Sequence, residues 1–328
     1  MRQTTIVAVC LLSGLAVLGA VALVALTRTE PQPVPRPEMS SALREAVSPE
    51  GIMEHERRFQ AIADDNGGHR AAGTPGYDAS ADYVADRLRE AGYRVTVQEF
   101  ELPEDAGGSE ATTSNVVAEM PGGGDARNTV MVGAHLDSVP EGPGINDNGS
   151  GSATILEIAE EMSELDAGPR NKVRFAFWGA EEIGLIGSTH YVHGLNESEL
   201  GDISAYLNFD MVGSPNHARF VYGSDEVVTV FEEYFAASNL DSSETLNLSG
   251  RSDHGPFEEE GIPAGGLFSG AGRTKSGAQA EDFGGESGEA YDSCYHAACD
   301  DIGNVDREAV DELSDAAAHT VAVFAEAK

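Results

Sequence analysis

Lysine is nearly absent from this 328-residue chain: Lys172, Lys275 and Lys328 are the only three, and arginine supplies the other 17 of its 20 basic residues. Against them stand 56 Asp and Glu, giving a formal net charge of -36. Such a surface repels phosphates, which excludes DNA, RNA and bare anionic headgroups as partners. Tryptophan occurs once, at Trp178, and cysteine only at positions 10, 294 and 299. What the chain has instead is apolar material, 41% of its residues, which excludes wholesale disorder. Acid excess with little lysine is the composition of proteins that work in concentrated brine. There carboxylates hold water and cations, and molar salt screens their repulsion within about 3 Å. A halophilic protein is therefore expected.

The long uncharged run from Ile6 to Leu26 breaks with this composition. As a helix it would cover about 30 Å, the thickness of a bilayer's hydrocarbon core. Residues 1–26 are expected to be a membrane anchor or a signal peptide cleaved at Ala20-Val21-Ala22, and membrane anchoring through 6–26 is the favoured reading. Either way the remainder is exported. Residues 27–45 carry Pro31, Pro33, Pro35 and Pro37, which favour extended backbone and read as a proline-rich linker. The folded domain is expected over 46–328.

Within it, helical spacing over Tyr77–Ala91 gives way to alternation over Tyr93–Phe100. Val116–Met120, Thr129–Ala134, Val173–Trp178 and Ala205–Phe209 read as further strands. Ser152–Leu165, Glu226–Asn239 and Asp306–Ala327 read as helices. Strands alternating with helices indicate an α/β layered domain around a buried, largely parallel sheet.

The residues that carry chemistry follow the predicted strands. Thr129–Ala134 delivers His135-Leu136-Asp137, and in open α/β sheets ligands bind at that carboxyl edge. Alone, His135 is equally well a structural histidine in a loop. The turn Gly142-Pro143-Gly144-Ile145-Asn146-Asp147-Asn148-Gly149-Ser150-Gly151 lacks the lysine of a phosphate loop, and its glycines let the backbone bend around Asp147. Val173–Trp178 feeds Glu181-Glu182, and a carboxylate beside so apolar a strand needs a partner. Ala205–Phe209 delivers Asp210. Cys294 and Cys299 flank His296; they could ligate zinc, but in an exported chain a disulfide is the better reading. Together His135, Asp147, Glu182, Asp210 and His296 make a mixed N/O set suited to a pair of zinc ions sharing one carboxylate.

Order and spacing of His135-Leu136-Asp137, Pro143–Gly151, Glu181-Glu182, Asn208-Phe209-Asp210-Met211, Arg251-Ser252-Asp253-His254 and Cys294-Tyr295-His296 resemble the M28 family of zinc aminopeptidases, in its secreted Streptomyces-type branch. The resemblance runs from about Arg70 to Asn304. It implies a three-layer α/β/α domain with a central mixed, largely parallel sheet, the zinc-dependent exopeptidase fold. It also implies two zinc ions: His135 and Asp210 on one, Glu182 and His296 on the other, Asp147 bridging both, and Asp137 orienting His135. Glu181 becomes the general base and Tyr295 a hydrogen-bond donor to the oxyanion. The substrates implied are peptides with a free N-terminus, their first side chain received by the segment Gly265–Phe268. Phe268 and Arg251 are the residues expected to touch substrate. Calcium is a further candidate ion, with no residues of its own assigned, and the oligomeric state is left open.

Two rivals are weighed. An M20-type peptidase is suggested by His-Leu-Asp-Ser-Val-Pro at 135–140, but the 86 residues from Asp210 to His296 leave little room for the lid domain of such enzymes. A non-catalytic membrane-anchored ectodomain would have lost ligands, and none is missing.

Overall fold

In the computed structural model the described residues are 36–103, 111–124, 128–165, 168–238, 240 and 244–328. The expected anchor at 6–26 lies outside them. Among the described residues, no helix is long and apolar enough to cross a membrane.

The apolar, β-rich segments build one sheet. Strands β1 (Arg94–Glu101), β2 (Thr112–Met120), β3 (Thr129–His135), β4 (Lys172–Trp178), β5 (Ile203–Phe209), β6 (Phe220–Gly223), β7 (Glu244–Leu246) and β8 (Ala264–Phe268) form one sheet in the order β1-β2-β4-β3-β5-β8-β6-β7. The central four, β4-β3-β5-β8, run parallel. Antiparallel strands border them on both sides. Every residue of β3 is buried, as its unbroken apolar run requires of a central parallel strand, whereas the edge strand β1 is largely exposed.

Alternate side chains of β3 enter two cores. Val130, Val132 and Ala134 pack under helices α1 (Arg36–Ala46), α2 (Pro49–Asp65), α3 (Pro75–Glu90), α4 (Gly151–Glu164), α7 (Asp225–Ala237) and α10 (Arg307–Ala325). Met131 faces the other way, into a core with Trp178, Tyr206 and Phe257 beneath α5 (Ile186–His193), α6 (Glu197–Gly201) and α8 (Gly255–Glu259). The three-layer arrangement is thus as expected, and α9 (Gly277–Phe283) lies in the segment that follows β8.

The folded region starts earlier than expected. Residues 36–45, assigned to the linker, belong to α1, and Met39 and Leu43 are buried in the main core. Their apolar spacing outweighs Pro37, which sits in the first turn, where a missing N–H costs nothing. Helix α2 was not foreseen. Ser48 caps it by accepting from the Gly51 N–H, and Pro49 opens it.

Candidate metal centre

The carboxyl ends of the four parallel strands form one rim. His135 closes β3, the turn to Glu181 and Glu182 follows β4, Asp210 follows β5, and Phe268 closes β8. The chain leaves β3 for β4 on one side and then crosses to β5 on the other, so the rim lies where strand order reverses, the usual place for a ligand in such sheets.

All five residues expected to hold metal meet there. Asp147 is central: its Oδ1 lies 3.3 Å from His135 Nε2 and its Oδ2 3.1 Å from His296 Nε2. Asp210 Oδ1 approaches the same His135 nitrogen at 3.5 Å, and Glu182 Oε2 lies 3.0 Å from His296 Nε2. The groupings His135–Asp147–Glu182 and His135–Glu181–Asp210 each bring three ligand atoms within 4.8 Å of one another.

Backbone and buried polar groups fix these positions. Arg70, fully buried, donates to the carbonyls of Leu136, Pro143 and Gly144, tying the end of β3 to the glycine-rich turn. Burial pulls its pKa down to about 10, while Asp137, Asp300 and Asp147 oppose that loss. Asp300 accepts from the N–H groups of Asn146 (2.8 Å) and Asp147 (3.0 Å), holding the turn that presents Asp147. Asp292 accepts from the Asn146 side chain (2.6 Å) and the Cys294 N–H (2.7 Å), linking that turn to the loop carrying His296. Cys294 and Cys299 are disulfide-bonded across the same loop.

A relay of hydrogen bonds runs under the rim to Asp210. The Trp178 indole donates to Tyr206 Oη and that hydroxyl to Asn208 Oδ1, each at 2.7 Å. The Asn208 amide donates to Ser252 Oγ (2.9 Å), which donates to Asp210 Oδ2 (2.7 Å). Gly133 makes room for it, since a Cβ there would lie 2.3 Å from the Tyr206 hydroxyl oxygen. Asp300 and Asp292 were not identified as support from the sequence, whereas Ser252 belongs to the Arg251–His254 segment on which the family resemblance rests.

Two expectations change in detail. The group facing His135 Nδ1 is the backbone carbonyl of Asp137, at 3.1 Å, with the carboxylate at 3.6 Å. The Asp137 carboxylate accepts instead from the N–H groups of Glu181 and Glu182, at 3.1 and 3.3 Å, and so fixes the turn that bears both. The segment Gly265–Phe268 is also divided in function. A Cβ on Gly266 would lie 1.7 Å from the Asn208 carbonyl, so that glycine serves strand packing, and only Phe268 of the four lines the cavity.

The four non-glycine residues with left-handed backbone among the described residues are Ala180, Leu185, Met211 and His296. Each is a site residue or lies within three residues of one. Such conformations cost about 1–3 kcal/mol each and persist where surrounding structure enforces them.

The charge balance identifies what the centre accepts. Burial, then the Asp147 charge, push the Glu182 carboxyl up to about 7, and burial drives Glu181 well above the carboxylate range. The His296 imidazole is raised to about 10 by its hydrogen bonds to Asp147 and Glu182. Glu181 and Glu182 thus resist ionising chiefly because they are buried, whereas Asp147, despite its burial, is lowered to about 2 by its hydrogen bonds to His135 and His296. Glu182 Oε1 is buried without a hydrogen-bond partner. Divalent cations would supply both positive charge beside these acids and the missing partner, and two imidazoles with carboxylates are a donor set that fits zinc.

Over the centre lies a cavity of about 520 Å³, walled by Phe220, Leu246, Phe268 and Tyr291 and reached by Arg251 and Tyr295. The Tyr295 ring stacks on His296 with centroids 3.9 Å apart. His254 is buried against Tyr222 and outside the cavity lining.

The model of peptidase family M28 matches residues 115–321. The chain is 48% identical over 271 residues to leupeptin-inactivating enzyme 1 of Streptomyces exfoliatus, covering 82% of this chain and 60% of that enzyme. It is 51% identical over 219 residues to an aminopeptidase of Pseudomonas aeruginosa strain UCBPP-PA14, covering 63% of this chain and 40% of that one. It therefore spans between two fifths and three fifths of these curated relatives' length. Among solved structures it is similar in fold to BSAP, a zinc aminopeptidase from Bacillus subtilis, with a TM-score of 0.71 at 21% identity, covering 84% of this chain and 94% of that one. With its five candidate ligands gathered at the sheet's carboxyl edge and a family match over most of the folded region, the chain belongs to peptidase family M28.

Proposed function

We propose that the chain is an exported zinc aminopeptidase that hydrolyses the N-terminal bond of peptides. The observation that carries this reading is Asp147, whose two carboxylate oxygens face two different imidazoles, the arrangement a bridging ligand needs. His135 and Asp210 would hold one zinc ion, Glu182 and His296 the other, with Asp147 shared. Bound there, the pair supplies Lewis acidity toward the scissile carbonyl and lowers the pKa of water toward neutrality. Glu181 takes a proton at its carboxylate and returns it to the departing amine. Tyr295, 37% exposed and reaching the cavity, donates a hydrogen bond to the carbonyl oxygen as charge builds on it. The acids around the centre, Glu181 and Asp210 among them, hold the free α-ammonium and confine cleavage to the first bond. Phe268, with Phe220 and Leu246, receives an apolar first side chain, and Arg251 touches the substrate from the same cavity.

The -36 charge fits a chain exported into concentrated salt, with residues 1–26 as its export segment, anchored or cleaved. Calcium has no residues assigned in this reading.

The test is hydrolysis of Leu-p-nitroanilide and of its N-acetylated form, with and without chelator, in high salt. Chelator-sensitive cleavage of the free-amine substrate alone is expected. Equal cleavage of the acetylated form would sink the exopeptidase assignment, and indifference to chelator would sink the metal.

A further inference from the structure

Cations are scarce in this chain and most are engaged. Arg87, Arg94, Arg174 and Arg307 pair with glutamates, and Arg70 and Lys275 donate to carbonyls. Arg251 and Arg273 differ: among the described residues neither has an ion pair or a side-chain hydrogen bond, and both line the cavity over the metal centre. Arg273 was not singled out from the sequence.

Both are held close to the reacting region by their backbones. Arg251 adjoins Ser252, whose hydroxyl donates to Asp210, and its N–H is bonded to the Leu248 carbonyl at 2.9 Å. Arg273 accepts at its carbonyl from the Tyr291 N–H at 3.0 Å. It adjoins Gly272, where a Cβ would lie 3.7 Å from the Tyr295 ring. The nearby acids do not explain these two guanidiniums. Glu244, in the same cavity, accepts from the Gln279 amide at 2.7 Å, and none of Asp147, Glu181, Glu182 and Asp210 lies within ion-pairing distance of either arginine.

Two exposed guanidiniums that line one cavity without an acidic partner are free to receive a carboxylate. The acids of the centre take the ammonium end of a substrate and the Phe268 wall takes its first side chain, so the carboxylate belongs to the departing part. Resting on the aminopeptidase reading, we infer that Arg273, together with Arg251, binds a carboxylate on the leaving side of the scissile bond. The favoured substrates are then dipeptides through their C-terminus, or longer peptides through an acidic second residue. A guanidinium suits this because it grips a carboxylate with two parallel hydrogen bonds.

The experiment compares kcat/KM for Leu-Gly against Leu-Gly-amide and for Leu-Glu-amide against Leu-Gln-amide. It uses the zinc-loaded full chain and Arg273→Gln at one salt concentration, each protein referred to its own rate on Leu-p-nitroanilide. The native protein should favour the charged member of at least one pair by about tenfold, expressed in KM, and Arg273→Gln should bring that ratio near unity. Which pair shows it identifies the source of the carboxylate. No preference in the native protein, or one that survives Arg273→Gln, overturns the inference. Calorimetric binding of Leu-Gly and Leu-Gly-amide to the Glu181→Gln protein and to its Arg273→Gln double variant reads the same ratio without turnover. Preferential binding through Arg273 without cleavage of any substrate by the native protein would keep the inference and overturn the aminopeptidase reading. Cleavage of Leu-p-nitroanilide without any charge preference would do the reverse.

Discussion

Replacing Glu181 with glutamine keeps the shape of the turn but removes the only part of the side chain that can take a proton. Turnover should fall about 10²–10⁴-fold with zinc content unchanged, and a loss below tenfold would remove Glu181 from its role. Asp137→Asn acts differently, since it weakens the acceptor that holds both the Glu181 and the Glu182 N–H. It should lower zinc affinity by about 10–100-fold, as read by chelator competition, with a smaller effect on kcat once metal is saturating. Away from the centre, Glu56 is fully buried, neither of its oxygens has a hydrogen-bond partner, and burial raises its carboxyl well above its ordinary range, with Asp300 adding to the shift. A carboxyl raised in the folded state stabilises it fully only below the unfolded pKa, so stability should decline as pH rises above about 4.5, by up to about 1.4 kcal/mol per pH unit from this one group. Glu56→Gln should flatten that decline in denaturant titrations between pH 4 and 7; an unchanged slope would place the proton elsewhere. The ligands were legible only as a set, three at or just after strand ends, Asp147 within the glycine-rich turn and His296 between two cysteines. The support from Asp300 was not, since it acts across 153 residues of chain and looks like any other acid in a sequence so rich in them.

The elements that position the centre were also the most legible ones. β3, β4 and β5 are mainly apolar, mostly buried strands that lead into a charged or imidazole group, as a central parallel sheet requires. β6, β7 and β8 are three to five residues long, and β8 carries Gly265 and Gly266, so neither periodicity nor propensity distinguishes them from loops. Their pairing is decided by close backbone approach, which only the folded chain reveals. The start of the domain is poorly legible because Pro31, Pro33, Pro35 and Pro37 signal extended backbone directly before the buried Met39 and Leu43. Arg70 links two of these pieces through three carbonyls, and Arg70→Met would leave those acceptors buried and unpaired. A loss of roughly 3 kcal/mol or more is expected in equilibrium unfolding, together with lower zinc affinity. A stable variant with unchanged metal binding would show that the glycine-rich turn holds Asp147 without help.

At the scale of the whole molecule the charge of -36 divides into a small buried set and a large surface one. Glu56, Asp137, Asp147, Glu157, Asp253, Asp292 and Asp300 are the buried acids among the described residues, so most of the 56 face solvent and repel one another. Concentrated salt screens that repulsion. Diluting the zinc-loaded protein from molar to millimolar salt should therefore lower its melting temperature and activity together, and full retention of both in dilute buffer would remove the halophilic reading while leaving the enzyme intact. The central claim is that this one fold gathers His135, Asp147, Glu182, Asp210 and His296 around two metal ions that serve hydrolysis. It is tested most directly by stripping the protein of metal and titrating zinc back while following both bound metal and Leu-p-nitroanilide hydrolysis. The account predicts two tightly held equivalents with full activity at the second, and in Asp147→Asn a loss of affinity for both. Full activity without metal, or an Asp147→Asn protein that still binds two equivalents as tightly, would contradict it.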